Sequence, residues 1–153
     1  MIKISKLADY AIHIVHVMTA QDCLSTSKIA EKSGIPEPTV SKILKKLTES
    51  KMLMSLQGPK GGYQLAKSAV KISLAELITA MDGKPAMTEC CKKEYDCAQD
   101  SVCGQQHNWQ MVNHLIFSVL DQISLQDMKT AISKKKVAHI QALQFIPRGE
   151  LRG

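Results

Sequence analysis

Apolar residues recur along this chain at two different periods, and the changes of period divide it into elements. Leu7, Ala11, Ile14, Val15 and Met18 share one face of a segment from about Ser5 to Ala20, which predicts a first helix with Asp9 and His13 off the stripe. Ser27 to Lys32 predicts a short second helix, and Gly34 suits the left-handed residue that ends it. Pro36 and Pro38 are tolerated only before or within the first turn of the next helix. There Val40, Ile43, Leu44 and Leu47 fall at i, i+3, i+4 and i+7, one inward stripe. Met52, Met54 and Leu56 then alternate with polar neighbours, and Tyr63 and Leu65 resume the alternation. This predicts two strands around the tip Gln57-Gly58-Pro59-Lys60-Gly61-Gly62. Ser73-x-x-Glu76 is a capping box opening a further helix with Leu74, Leu77, Ile78 and Met81 inward, stopped by Gly83 and Pro85. Farther on, Trp109, Val112, Ile116, Val119 and Ile123 repeat at three and four, the pattern of a coiled-coil seam.

This order of elements predicts a mainly α fold with a small β-hairpin. A winged helix-turn-helix occupies residues 1–83, a cysteine-rich loop 84–108, a long dimerisation helix 109–130 and a basic tail 131–153, short helix or disordered. A helix with small polar and basic groups outward, followed by a glycine-rich hairpin, suits double-stranded DNA. Pro38, Thr39, Ser41 and Lys42 would meet base edges, and Lys45 and Lys46 phosphates. Ser27 and Lys28 on the short helix, with Gln57, Gly58, Lys60 and Gly61 at the wing tip, complete the candidate DNA surface. The tip lacks the G-x-x-x-x-G-K-[ST] spacing of a nucleotide-binding loop.

Charge supports that picture. The net charge is +6, and residues 1–80 carry 11 Lys/Arg against 6 Asp/Glu, a balance that suits a polyanion. No apolar run approaches the ~20 residues of a membrane span, and the opening apolar segment is interrupted by Asp9, His13 and His16. A cytoplasmic location and no membrane partner are therefore expected. His13 and His16 read as surface or boundary residues.

Cysteine placement adds chemistry. Four of the five cysteines fall between Cys90 and Cys103, which in a reducing compartment suggests a metal or a cluster rather than disulfides. Cys91, Cys97 and Cys103 stand six apart, and His107 follows. An iron–sulfur cluster, a structural zinc site of Cys₃His type and a metal-free thiol switch all accept such donors. Cys23, standing alone, reads as a small buried hydrophobe. A redox enzyme or electron carrier finds little support, because no C-x-x-C motif, phosphate loop or acid/base pair accompanies the cysteines.

The segment ISKLADYA at residues 4–11, the helix-turn-helix, GPKGGYQLAK at residues 58–67, the cysteine spacing, Trp109 and SLQDM ending at Met128 together resemble the IscR/NsrR-type winged-helix regulators, over residues 1–128. The likeness is greatest to regulators of the SUF pathway of iron–sulfur cluster assembly. It implies a homodimeric transcriptional regulator, repressor or activator, that holds a cluster, most simply 2Fe-2S. By the same resemblance Cys91, Cys97 and Cys103 are ligands. The fourth donor is either His107 or Asp9 of the partner subunit, the latter from the carboxylate-before-tyrosine pattern matched by Asp9-Tyr10. His107 departs from the IscR-like pattern by one residue, since Gln106 occupies the histidine's place. A zinc- or thiol-based sensor of oxidants or nitric oxide is the alternative.

Overall fold

Ser5 starts the first helix by accepting the Ala8 N–H on its side chain, at 3.1 Å. The computed structural model describes residues 3–19, 23–58, 61–92, 94 and 102–142. Helix α1 (Lys6–Met18) buries Ala8, Ala11, Ile14, Val15 and Met18. Helix α2 (Thr26–Ser33), capped by the Ser25 side chain, ends at Gly34 with φ 68°, and Pro36 caps α3 (Glu37–Glu49). Val40, Ile43, Leu44 and Leu47 of α3 are fully buried, each such side chain contributing about 1.5–3 kcal/mol by leaving water. Helix α4 (Leu74–Asp82) opens with both halves of the Ser73–Glu76 capping box and closes the core with Leu74, Leu77, Ile78 and Met81. The side chain and N–H of Ser5 both donate to the Asp82 carboxylate, which ties the start of α1 to the end of α4.

The hairpin differs from the expected alternation by one residue. Strands β1 (Leu53–Leu56) and β2 (Gly62–Leu65) pair antiparallel with Leu53 opposite Leu65 and Ser55 opposite Tyr63. The inward face is therefore Leu53, Tyr63 and Leu65, whereas Met54 and Leu56 are each 44% exposed. The cause lies at the end of α3. Lys51 adopts φ 60°, Lys51 N–H donates to Thr48 O, and Met52 N–H donates to Leu47 O. That is a Schellman ending, which folds Met52 back onto the helix as its hydrophobic cap, so the strand's period begins only at Leu53. Beyond Leu53 strand β1 is exposed, while β2 stays half-buried against the core. Close to the tip, Tyr63 exchanges both backbone hydrogen bonds with Leu24, so the wing adds to the chain just before α2. This close approach requires glycine at 62, where a Cβ would lie 2.4 Å from the Leu24 carbonyl oxygen.

After the cysteine segment, α5 (Gln106–Asp121) begins before Trp109 and stops before Ile123. Ile123 consequently leaves the expected seam. It packs with Leu120 against the core of its own subunit, and its carbonyl accepts the Leu74 N–H at 2.7 Å. Two residues on, Leu125 is fully buried and its N–H donates to Ile72 O. Around it Ser124 and Asp127 cap one another reciprocally, and the Leu125 carbonyl lies 2.6 Å from His16 Nε2. His16 is thus a half-buried link between α1 and the return from α5, while His13 is exposed. Part of the basic tail forms α6 (Lys134–Ala142), anchored by buried Ile140 and by the Lys136–Asp127 ion pair. Cys23, expected to be buried, is half-buried. No described helix is long and apolar enough to cross a membrane.

Candidate nucleic-acid interface and cysteine segment

On α3 the buried stripe fixes what the opposite side presents. Pro38, Ser41, Lys42 and Lys45 are exposed, and Thr39 is half-buried. Ser27 and Lys28, in the first turn of α2, are exposed as well. Lys46 stands apart from this group. Its Nζ donates to the Met81 carbonyl in the last turn of α4, where unsatisfied carbonyls and the helix dipole attract a cation. Of the wing tip, Gln57 and Gly58 are exposed and Gly61 is half-buried, with its N–H donating to Gly58 O. The tip glycines thereby serve the turn itself. A Cβ at Gly61 would lie 2.3 Å from the Leu56 carbonyl oxygen. Lys60 lies outside the described residues.

The cysteine segment is carried on α5. Residues Glu89–Cys91 form a single 3₁₀ turn, and Met87 N–H donates to the Asn113 side chain at 3.0 Å. Gln110 Nε2 donates to the Cys90 carbonyl. Thr88 turns its hydroxyl toward both neighbouring thiols, 3.1 Å from Cys90 Sγ and 3.3 Å from Cys91 Sγ. Cys90 and Cys91 are half-buried, and Cys103 is exposed two residues before the Gln105 cap of α5. His107 is exposed in the first turn of α5, three residues before Gln110 and so near the same side. Asp9 is exposed in the first turn of α1. Among the described residues no three of these donors are gathered into a metal-binding group, and Cys97 lies outside them. In chemistry the donor set fits an iron–sulfur cluster, with soft thiols from Cys91, Cys97 and Cys103 and a harder fourth donor.

On α5 itself no residue is fully buried, and Trp109 and Val112 are 38% and 39% exposed, a large apolar pair facing outward on a subunit considered alone. Ile116 and Val119, farther along the expected seam, are half-buried. Thr88, Gln110 and Asn113, which hold the cysteine segment in place, were not legible as site residues. Nothing in their spacing distinguishes them from ordinary helix and loop polar groups. Leu125 had one available signal, the S-x-x-D cap of Ser124 and Asp127 around it.

Two relatives align with most of the chain. An HTH-type transcriptional regulator, ORF2, of Azotobacter vinelandii is 28% identical over 141 residues, covering 92% of this chain and 80% of its own. The HTH-type transcriptional regulator IscR of Xenorhabdus nematophila is 28% identical over 125 residues, covering 82% of this chain and 73% of its own. Among solved structures, CymR, the global cysteine regulator of B. subtilis, superposes with a TM-score of 0.64 at 21% identity, covering 84% of this chain and 96% of that one. That likeness establishes the winged-helix fold. Residues 4–131 match the Rrf2 family, described as iron-dependent transcriptional regulators. A winged helix-turn-helix with an open polar and basic recognition face, matched along most of its length, thus belongs to the Rrf2 family of transcriptional regulators, which are DNA-binding proteins and not enzymes.

Proposed function

We propose that this chain is a cytoplasmic homodimer that couples operator binding to an iron–sulfur cluster and controls genes for cluster assembly of the SUF type. One observation carries the reading. The segment bearing Cys90 and Cys91 is hydrogen-bonded to α5 through Gln110 and Asn113, on the helix that presents Trp109 and Val112 outward. Thiol ligation and subunit pairing thereby share one element. Cys91, Cys97 and Cys103 supply thiolates, and the fourth donor is His107 or Asp9 of the partner subunit. A bound cluster supplies a redox- and oxidant-sensitive centre of 2Fe-2S type. Pro38, Thr39, Ser41 and Lys42 read bases, with Lys45, Lys28, Ser27 and the wing tip at the backbone. Because operator affinity and cluster affinity are linked, each alters the other by the same factor.

The test is anaerobic purification followed by visible absorption and analysis for iron, acid-labile sulfide and zinc. Brown protein with about equal iron and sulfide supports the reading. Colourless protein that holds zinc, or that stays metal-free after reconstitution, overturns it in favour of a zinc- or thiol-based sensor. Asp9→Ala and His107→Ala, compared by spectrum and by rate of bleaching, then assign the fourth donor.

A further inference from the structure

The Thr88 hydroxyl is placed between two adjacent thiols, and its hydrogen-bonding capacity matches that position. A threonine hydroxyl offers one donor and two acceptor lone pairs. With Cys91 as a thiolate ligand, that single proton is directed at Cys91 Sγ, and a lone pair is left to accept the Cys90 S–H. The distances of 3.3 Å and 3.1 Å suit both halves of this relay, since hydrogen bonds involving sulfur are longer than those between oxygens. The backbone holds the hydroxyl there. Cys91 N–H donates to Thr88 O at 3.0 Å, closing the 3₁₀ turn over Glu89–Cys91, and Gln110 secures the Cys90 carbonyl from outside.

We infer that Thr88 is a positioning residue for the cysteine ligand: with Cys91 ligating, its hydroxyl donates to the Cys91 sulfur and supports the negative charge there. This rests on the cluster-sensing reading above. Cys90, on this account, is the supporting donor and not a spare ligand. Hydrogen bonds to ligand sulfurs raise the reduction potential of an iron–sulfur centre, and loss of outer-sphere partners weakens metal retention by about 10- to 100-fold.

The experiment compares the full-length chain with Thr88→Val, which keeps the shape and removes the hydroxyl, and Thr88→Ser, which keeps the hydroxyl. After anaerobic reconstitution, the reduction potential and the rate of bleaching by a chelator are measured. On the apo-protein, the alkylation rates of Cys90, Cys91 and Cys23 are mapped by mass spectrometry. The expected result is a more negative potential and bleaching ~10- to 100-fold faster in Thr88→Val, with recovery in Thr88→Ser. Slower alkylation of Cys91, with that of Cys23 unchanged, should accompany it, since the thiolate loses its hydrogen-bond donor. A Thr88→Val protein with unchanged potential and bleaching overturns the inference, as does equal impairment of both variants, since the restored hydroxyl in Thr88→Ser would then have restored nothing. If the unaltered chain takes up no cluster, it is the cluster reading that fails. Unchanged alkylation of Cys90 and Cys91 in Thr88→Val would then remove the hydroxyl–thiol contact as well.

Discussion

Two adjacent lysines of α3 have different surroundings. Lys45 is exposed beside Lys42, whereas the Lys46 ammonium closes the end of α4 at Met81 O. Lys45→Ala should therefore lower the magnitude of the salt dependence of operator binding by about one phosphate contact. Lys46→Ala should leave that slope unchanged and cost about 1 kcal/mol of stability. Fluorescence anisotropy across a salt series, with urea denaturation alongside, separates the two. Lys51 makes a second residue-scale case. Its φ of 60° is a conformation that glycine adopts without the Cβ penalty. Lys51→Gly should raise the urea midpoint, stabilising by up to about 1 kcal/mol. A lowered midpoint would mean that the side chain contributes more than its backbone strain costs.

At the scale of elements, the helices were legible because their inward faces obey one uninterrupted period. The α3 stripe of Val40, Ile43, Leu44 and Leu47 is buried as its spacing predicts. The hairpin was legible as a hairpin but not in phase, because its first apolar residue, Met52, belongs to the cap of α3, and Lys51 in a left-handed turn gives no glycine to mark the stop. The corrected register is checked by a pair of substitutions. Leu53→Ala should cost about 2–5 kcal/mol, and Met54→Thr should stay within about 0.5 kcal/mol, both read from denaturant titrations. The return from α5 was marked in sequence only by its S-x-x-D cap, for a different reason: Leu125 is a single buried side chain with no period to reveal it. Its carboxylate supports confer a pH dependence. Burial disfavours the Glu76 charge, but the Lys67 hydrogen bond, the Ser73 N–H and the Lys67 charge outweigh it and lower its pKa. Hydrogen bonds from the Ser124 side chain and backbone, reinforced by Lys136, lower that of Asp127. Since both folded values lie below the ordinary ones, their stabilisation is complete above the ordinary carboxylate range and is lost as pH falls through the folded values. Glu76→Gln and Asp127→Asn should each lower the melting temperature at pH 7 and flatten its decline between pH 5 and pH 3, ranges set by about pKa 4 for free carboxyls. Parallel curves for variant and parent would sink this assignment.

For the whole molecule, the sequence pattern treated Trp109, Val112, Ile116, Val119 and Ile123 as one seam, but the fold divides them. Trp109 and Val112 face outward, and Ile123 serves the core of its own subunit. Trp109→Asp or Val112→Asp should convert a dimer into a folded monomer in sedimentation, with weakened operator binding, since a two-fold protein matches two half-sites. Ile123→Asp should instead unfold the chain. Monomerisation by Ile123→Asp without loss of helical circular dichroism would restore it to the seam. The cysteine donors remain the least legible part of the site, because bringing such donors together depends on loop geometry and on partners, neither of which leaves a period in sequence.

The return through Ile123 and Leu125 has a mechanical consequence. Helix α5 is about 24 Å long. At its foot it is stitched to the start of α4 by the Ile123–Leu74 and Leu125–Ile72 backbone bonds, with Ser73 donating to Asp121. Toward its other end it is bonded to the segment that leaves the end of α4, through Met87 and Cys90. The two helices and that segment therefore form a triangular truss with one fixed corner. In a truss of this kind the two long sides are stiff, so the length of the third, the side that carries the cysteines, sets the angle between them. A change of about 2 Å along that side opens or closes the angle by roughly 7–10°, acting on the ~12–17 Å of α5 between its foot and the Asn113 and Gln110 attachments. One of those long sides, α4, is riveted by Lys46 to α3.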